Sequence, residues 1–316
     1  MRSILNFKQL FKFGTLLRSK SENLNSLGIM MKKNWLLFSL LLIMLFSSSC
    51  SVLQWRKSDQ EIQETFRSSK INSEISYFKV DSLDLAVRIQ EVKSDTKEIN
   101  LVFLHGAPSS LSTWEGYLTD TALSRSATMY ALDRPGYGYT NFGKEIASVN
   151  EQAKLFSSIL KKKGLDNIIV VGSSYGGPIA ARVAVLNPDV KGVVMISPAI
   201  DPSIEKDFWA SRFTQWKLTR WMVPTAYRVA GDEKTIHAKE LLLIKDDWGK
   251  LSIPVVHIHG ESDSIVPYDN IYFSKNNFQN IELISVPEKG HEISYKNTEL
   301  VIPSILKLID QIEGVD

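Results

Sequence analysis

The sequence predicts an α/β fold: a mostly parallel eight-stranded sheet flanked by helices, with a helical cap inserted in it. Three observations point there. Short runs rich in Val and Ile recur along the chain and alternate with helical periodicity, as parallel strands buried on both faces require. One long segment, from Pro198 to Leu251, carries no strand pattern at all. A Gly-x-Ser-x-Gly pattern directly follows one of the apolar runs.

At the N-terminus, residues 1–49 hold seven Lys/Arg and one acid, Glu22, for a net charge of +6 against −4 in the remainder. A mildly acidic body lacks the electrostatic footprint of a nucleic-acid binder, so that class is excluded. From Met31 the chain reads Lys32-Lys33-Asn34-Trp35, an apolar stretch to Phe46, then Ser47-Ser48-Ser49-Cys50. Basic, greasy and small residues in that order make a secretory signal peptide. As a helix, Trp35–Phe46 spans about 18 Å, short of the roughly 30 Å of a bilayer core. With a start at Met30 or Met31 the preceding residues are an upstream extension; otherwise they are a long basic n-region.

Cys50 is the only cysteine, so no intramolecular disulfide can form. The small residues before it resemble the lipobox of bacterial lipoproteins, although Ser47 stands where that family usually has Leu. The resemblance implies a lipidated Cys50 and a cell-envelope protein anchored to a membrane on its periplasmic or extracellular face. Without it, Cys50 is a bystander behind an ordinary signal peptide. Residues 50–70, polar after the cysteine, are expected to be a tether.

The folded body is expected over residues 71–198 and 252–316. Ile75–Val80 and Leu83–Gln90, separated by Asp81-Ser82, read as an antiparallel hairpin. The buried runs Ile99–Leu104, Met129–Leu132, Ile168–Val171, Val193–Ile196, Val255–Ile258 and Ile281–Val286 follow. Helical spacing marks Glu151–Lys162 and Glu299–Ile312. Residues 199–251 form the cap, with four of the seven tryptophans: Trp209, Trp216, Trp221 and Trp248. It reads either as a helical insertion packing on itself or as a lid over a site, and a lid also must pack somewhere.

Gly172-Ser173-Ser174-Tyr175-Gly176 sits between a strand and a helix-compatible segment, the context that makes this pentapeptide a nucleophile elbow. A Cβ at Gly172 or Gly176 would clash where strand and helix approach. Pro178 falls in the first helical turn, where its missing N–H is harmless. Ser174 is the candidate nucleophile; Ser173 would sit one residue early. The weaker alternative is a glycine-rich turn with a capping serine.

A serine needs a base, and the base needs an acid to hold its tautomer. Five histidines are available: His105, His237, His257, His259 and His291. Only His291 follows both Ser174 and a plausible acid, in the chain order Ser, Asp/Glu, His. Asp263, just past a strand end, is the preferred acid, with Glu261 and Asp201 as runners-up. His257 and His259 could be read as a metal pair, but no third ligand is apparent and buried strand histidines are usually hydrogen-bonded core. Backbone donors for an oxyanion are expected from Tyr175, after the nucleophile, and from Ala107, in the loop His105-Gly106-Ala107-Pro108.

These motifs, together with Asp133-Arg134-Pro135-Gly136-Tyr137-Gly138, resemble the α/β-hydrolase superfamily over about residues 75–312. The resemblance implies that Asp133–Gly138 shapes a loop, that the cap follows the strand ending near Ser197, and that Asp263 is the acid. Family members resembling haloalkane dehalogenases and epoxide hydrolases use Asp as nucleophile, so Ser174 disfavours those reactions. It implies instead a serine hydrolase of the esterase kind, acting through an acyl-enzyme on a carboxylic ester, thioester, lactone or amide, without cofactor or metal. Hydrolysis of a carbon–carbon bond and a non-catalytic ligand-binding protein on the same fold are the alternatives. The tryptophan-rich cap points to an apolar or aromatic acyl group in a small-molecule substrate.

Overall fold

Successive residues of a strand face opposite sides of its sheet, so strands apolar at every position need cover on both sides. In the computed structural model, which describes residues 32–39, 42, 55–94, 98–205 and 211–314, the expected strands form one sheet. They are β1 (Glu74–Val80), β2 (Leu85–Val92), β3 (Asn100–Leu104), β4 (Thr128–Leu132), β5 (Ile168–Ser173), β6 (Val190–Ile196), β7 (Val255–Gly260) and β8 (Ile281–Val286). Their spatial order is β1-β2-β4-β3-β5-β6-β7-β8. Strand β2 pairs antiparallel with β1 and β4; every other pairing is parallel.

The alternation sorts the core into two layers. Val102, Leu104, Val170, Val193 and Met195 pack with the helices Val149–Lys162 and Gly176–Leu186. Leu101, Phe103, Ile169, Val171, Val194 and Ile196 pack on the other face with Trp114, Tyr117 and the helix Thr298–Glu313. Both amphipathic helices read from the sequence are present. Ser148 caps the first, accepting from the Glu151 N–H at 3.2 Å. Gly314, at φ +70°, ends the last.

Two sequence expectations need correction. Strand β2 starts at Leu85, not Leu83, because Asp81–Leu83 form a 3₁₀ turn closed by Asp84 at φ +46°. The polar stretch assigned as a tether to residue 70 contains a helix, Asp59–Ser68. Its start is a capping box: the Ser58 hydroxyl accepts from the Glu61 N–H, and the Glu61 carboxylate accepts from the Ser58 N–H. Ile62 and Phe66, one helical turn apart, are buried in the second core layer. Arg88 Nη1 donates to the Lys57 carbonyl at 3.0 Å and ties the helix entry to β2.

The sheet lies in the unit 53–316; residues 1–52 are a separate unit. In that first unit residues 32–39 are helical, and the Ser39 hydroxyl donates to the Trp35 carbonyl at 2.8 Å. No helix among the described residues is long and apolar enough to cross a membrane. Cys50, and half of the apolar run before it, lie outside the described residues.

Between β6 and β7 the described insertion is helical: Ser211–Gln215, Thr225–Ile244 and a 3₁₀ segment, Lys245–Lys250. It is seated on the core through Ala226 and Val229 against Tyr137. Its described tryptophans are divided between core and surface. Trp248 is fully buried and stacks on Phe278 within the core, Trp216 and Trp221 are exposed, and Trp209 lies outside the described residues.

Candidate active site

Parallel strands deliver their following loops to one edge, and the site residues come from the loops after β3, β5, β7 and β8. Leu104 pairs with Gly172, Ser173 with Ile196, Ile196 with Ile258, and Gly260 with Val286, so the strand ends are level.

At the end of β5 the chain turns straight into the helix Gly176–Leu186. A Cβ at Gly172 would stand 2.2 Å from the Gly176 carbonyl oxygen, and one at Gly176 would stand 2.2 Å from that of Leu104. Only glycine permits both approaches. Ser174, between them, has φ +53°, a left-handed conformation that costs a non-glycine residue about 1–2 kcal/mol. Its N–H donates to the Ile196 carbonyl at 2.9 Å and its own carbonyl accepts from the Gly177 N–H at 3.0 Å, which hold the turn. Ser173 is the last residue of β5 and is buried, whereas Ser174 is half-buried at the turn.

The loops after β7 and β8 are laced together. Glu261 N–H donates to the Val286 carbonyl at 3.0 Å, and Ser262 N–H to the Lys289 carbonyl at 2.9 Å. This brings His291 Nδ1 to 2.7 Å from Asp263 Oδ2. Asp263 Oδ1 accepts from the Ile265 and Val266 N–H groups, both at 2.9 Å. Burial alone would raise the Asp263 carboxyl, but the donors His259 and His291 outweigh it and hold the group well below the usual carboxylate range. The runners-up are elsewhere: Asp201 Oδ1 accepts from the Ser203 N–H and hydroxyl, and Glu261 is exposed.

His257 and His259 extend the support of Asp263 inward. His259 Nε2 lies 3.2 Å from the Val266 carbonyl and 3.5 Å from Asp263 Oδ2. A nitrogen facing two acceptors carries the proton, so His259 Nδ1 accepts, and His257 Nε2, 2.9 Å away, donates. His257 Nδ1 then accepts from the Ser274 hydroxyl at 2.9 Å. Burial keeps His257 well below the usual histidine range. All four ring nitrogens face protein partners, so a metal would have to displace them.

The loop after β3 lies against Ser174: a Cβ on Gly106 would stand 3.0 Å from the Ser174 Cβ. Ala107 follows, half-buried. Among the described residues neither the Ala107 nor the Tyr175 N–H donates to a backbone carbonyl. His105 is buried and neutral, held low first by burial and then by the neighbouring Arg134 charge. Asp133 shapes the next loop, accepting from the Leu111 N–H at 2.7 Å and the Tyr139 N–H at 2.9 Å.

Sequence reading did not foresee the buried pair of Arg134 and Glu233, 2.5 Å apart. Their 99-residue separation gave no local signal.

The residues 99–223 match the family model described as alpha/beta hydrolase fold. The chain has the α/β-hydrolase fold. Among curated relatives, the AB hydrolase superfamily protein YisY of Bacillus subtilis (strain 168) is 24% identical over 242 residues, 64% of this chain and 88% of that protein. The putative esterase/lipase 3 of Mycoplasma genitalium is 24% identical over 269 residues, 74% of this chain and 93% of that protein; several other curated relatives are matched over shorter stretches, one of them over 30% of its length. Among solved structures with the α/β-hydrolase fold, the protein lip1 of Acinetobacter baumannii AYE superposes with a TM-score of 0.66 at 17% identity, covering 81% of this chain and 97% of that one. A mutant of the N-acyl homoserine lactonase AidH, in complex with N-hexanoyl homoserine lactone, superposes with a TM-score of 0.62 at 15% identity, covering 77% and 100%. At such identity the likeness concerns the fold, and chemistry has to be argued from the site.

Proposed function

We propose that the protein is a serine hydrolase that cleaves a carboxylic ester or lactone through an acyl-enzyme. The observation that carries the reading is the His291–Asp263 contact of 2.7 Å at the edge of the sheet where Ser174 is held at φ +53°. Asp263 accepts from Nδ1, which leaves His291 Nε2 as the base. In the reaction that base takes the Ser174 proton as Oγ bonds to the acyl carbon. The carbonyl electrons move to oxygen, where the Ala107 and Tyr175 N–H groups stabilise the anion. Collapse expels the alcohol, protonated by His291, and water repeats the sequence on the acyl-enzyme. A related fold in a lactonase is consistent with this acyl chemistry.

The test is turnover of p-nitrophenyl butyrate by the full-length chain beside Ser174→Ala. Loss on the order of a millionfold is expected if the triad acts as a unit. Retained turnover in the variant would refute Ser174 as nucleophile.

The second part of the proposal concerns location: Cys50 carries a lipid, and the hydrolase works at the cell envelope from a membrane anchor. The residue pattern of 31–50 supports it.

A further inference from the structure

An unbroken set of hydrogen bonds runs from the cap to the oxyanion loop. Glu233, on the helix Thr225–Ile244, is fully buried and meets Arg134 with both oxygens, Oε1 to Nη1 at 2.5 Å and Oε2 to Nη2 at 3.1 Å. The Tyr137 hydroxyl donates to Glu233 Oε2 at 2.7 Å, and Gln152 Nε2 to Oε1 at 2.9 Å. On its far side Arg134 donates from Nε to the His105 carbonyl at 2.9 Å and from Nη2 to the Gly106 carbonyl at 3.0 Å. His105 Nε2 accepts from the Arg134 N–H at 3.0 Å, so its proton is on Nδ1, which donates to the same Gly106 carbonyl at 2.8 Å.

The consequence lies in the planarity of the next peptide. Gly106 C=O and Ala107 N–H belong to one trans unit, in which they point in opposite directions. Two donors gripping the oxygen therefore set the direction of the N–H. That restraint matters here because Gly106 has no Cβ to limit rotation of the peptide. Arg134 can grip only while it is itself fixed. A buried guanidinium is fixed by a fork of two charged acceptor atoms better than by any single contact.

We propose that Arg134 and Glu233 are positioning residues: through the Gly106 carbonyl they aim the Ala107 N–H at the oxyanion, so that the cap helix controls the rate of acylation. The inference rests on the ester-hydrolase reading above. It assigns the cap a part in the chemical step, distinct from covering the substrate.

An oxyanion donor acts on oxygen and barely on sulfur, which accepts hydrogen bonds weakly. The experiment therefore compares p-nitrophenyl butyrate with its thionoester analogue, in the full-length chain and in Arg134→Met/Glu233→Met. The double substitution removes both charges together and fills similar volume, an exchange that buried ion pairs tolerate. The oxoester kcat is expected to fall by about 10²–10³, the loss typical of one oxyanion donor. KM should stay within about threefold and the thionoester kcat within about tenfold, on the same reasoning. Glu233→Gln, which keeps one acceptor, should lose about tenfold on the oxoester alone, and it serves if the double variant does not fold. Equal losses on both esters, or no loss on either, would overturn the proposal while leaving the hydrolase reading intact. If the wild type turns over neither ester and Ser174 resists a fluorophosphonate, the hydrolase reading fails and this inference falls with it.

Discussion

Replacing Asp263 by Asn changes one atom's chemistry and almost nothing of its shape. Oδ1 receives two backbone N–H groups, from Ile265 and Val266 at 2.9 Å each, so the carbonyl oxygen of the new amide must stay there. Its NH₂ is thereby forced toward His291 Nδ1, where the carboxylate Oδ2 had accepted at 2.7 Å. A donor at that point requires Nδ1 to be the acceptor, which puts the imidazole proton on Nε2 and leaves no base facing Ser174. His259, whose Nε2 lies 3.5 Å from the same oxygen, meets a donor too and cannot rescue the arrangement. A tautomer error of this kind costs about 10⁴ in kcat, equivalent to about 5.4 kcal/mol of barrier at 1.36 kcal/mol per decade. The assay is steady-state hydrolysis of p-nitrophenyl butyrate by Asp263→Asn, with the melting temperature checked. Asp201→Asn is the control, since its carboxylate caps Ser203, and it should stay within about threefold of wild type, as peripheral substitutions do. A folded Asp263→Asn retaining a tenth of the wild-type kcat, or a larger loss in Asp201→Asn, would refute the assignment.

Further outcomes can be measured on the same preparations. The depressed Asp263 carboxyl contributes stability that is complete above the unfolded-state value of about 3.9 and is lost as pH falls through the lower folded-state value. The difference in melting temperature between wild type and Asp263→Asn should thus be constant above about pH 5 and shift against the wild type below about pH 4; a flat difference down to acid pH would contradict the hydrogen bonding described. Phe66→Ala should destabilise the fold by about 3–5 kcal/mol in urea titration, as deletion of a buried ring does, whereas a residue in a free tether would show no change. Cys50→Ser should move the protein from the membrane fraction to the soluble one, and an unchanged distribution would rule out lipidation as the anchor.

The features legible in the sequence were those with a local cause. The six Val- and Ile-rich runs could be read as parallel strands because such strands lie in sheets covered on both faces, and all six appear in the sheet beside the hairpin read from its alternation. The elbow was legible because two glycines flank the serine at the spacing that a strand-to-helix turn demands. The helix at Asp59–Ser68 had a signal as well, Ser58 and Glu61 at capping-box spacing, but the surrounding polarity concealed it; only Ile62 and Phe66 reveal the buried face.

Other features depended on the fold. Asp263, Glu261 and Asp201 are equivalent as carboxylates past strand ends, and the contact with His291 arises from loops of β7 and β8 bonded side by side. The roles of the cap tryptophans could not be read either, since composition does not tell a core residue such as Trp248 from exposed Trp216 and Trp221. Arg134 and Glu233 meet across 99 residues. The sequence by itself determined the strands, the elbow and the set of candidate side chains, because each follows from spacing along the chain. Tertiary structure alone decided which carboxylate meets His291 and that Arg134 bonds both Glu233 and the loop after β3, because hydrogen bonds between distant segments depend on distances that spacing in sequence does not encode.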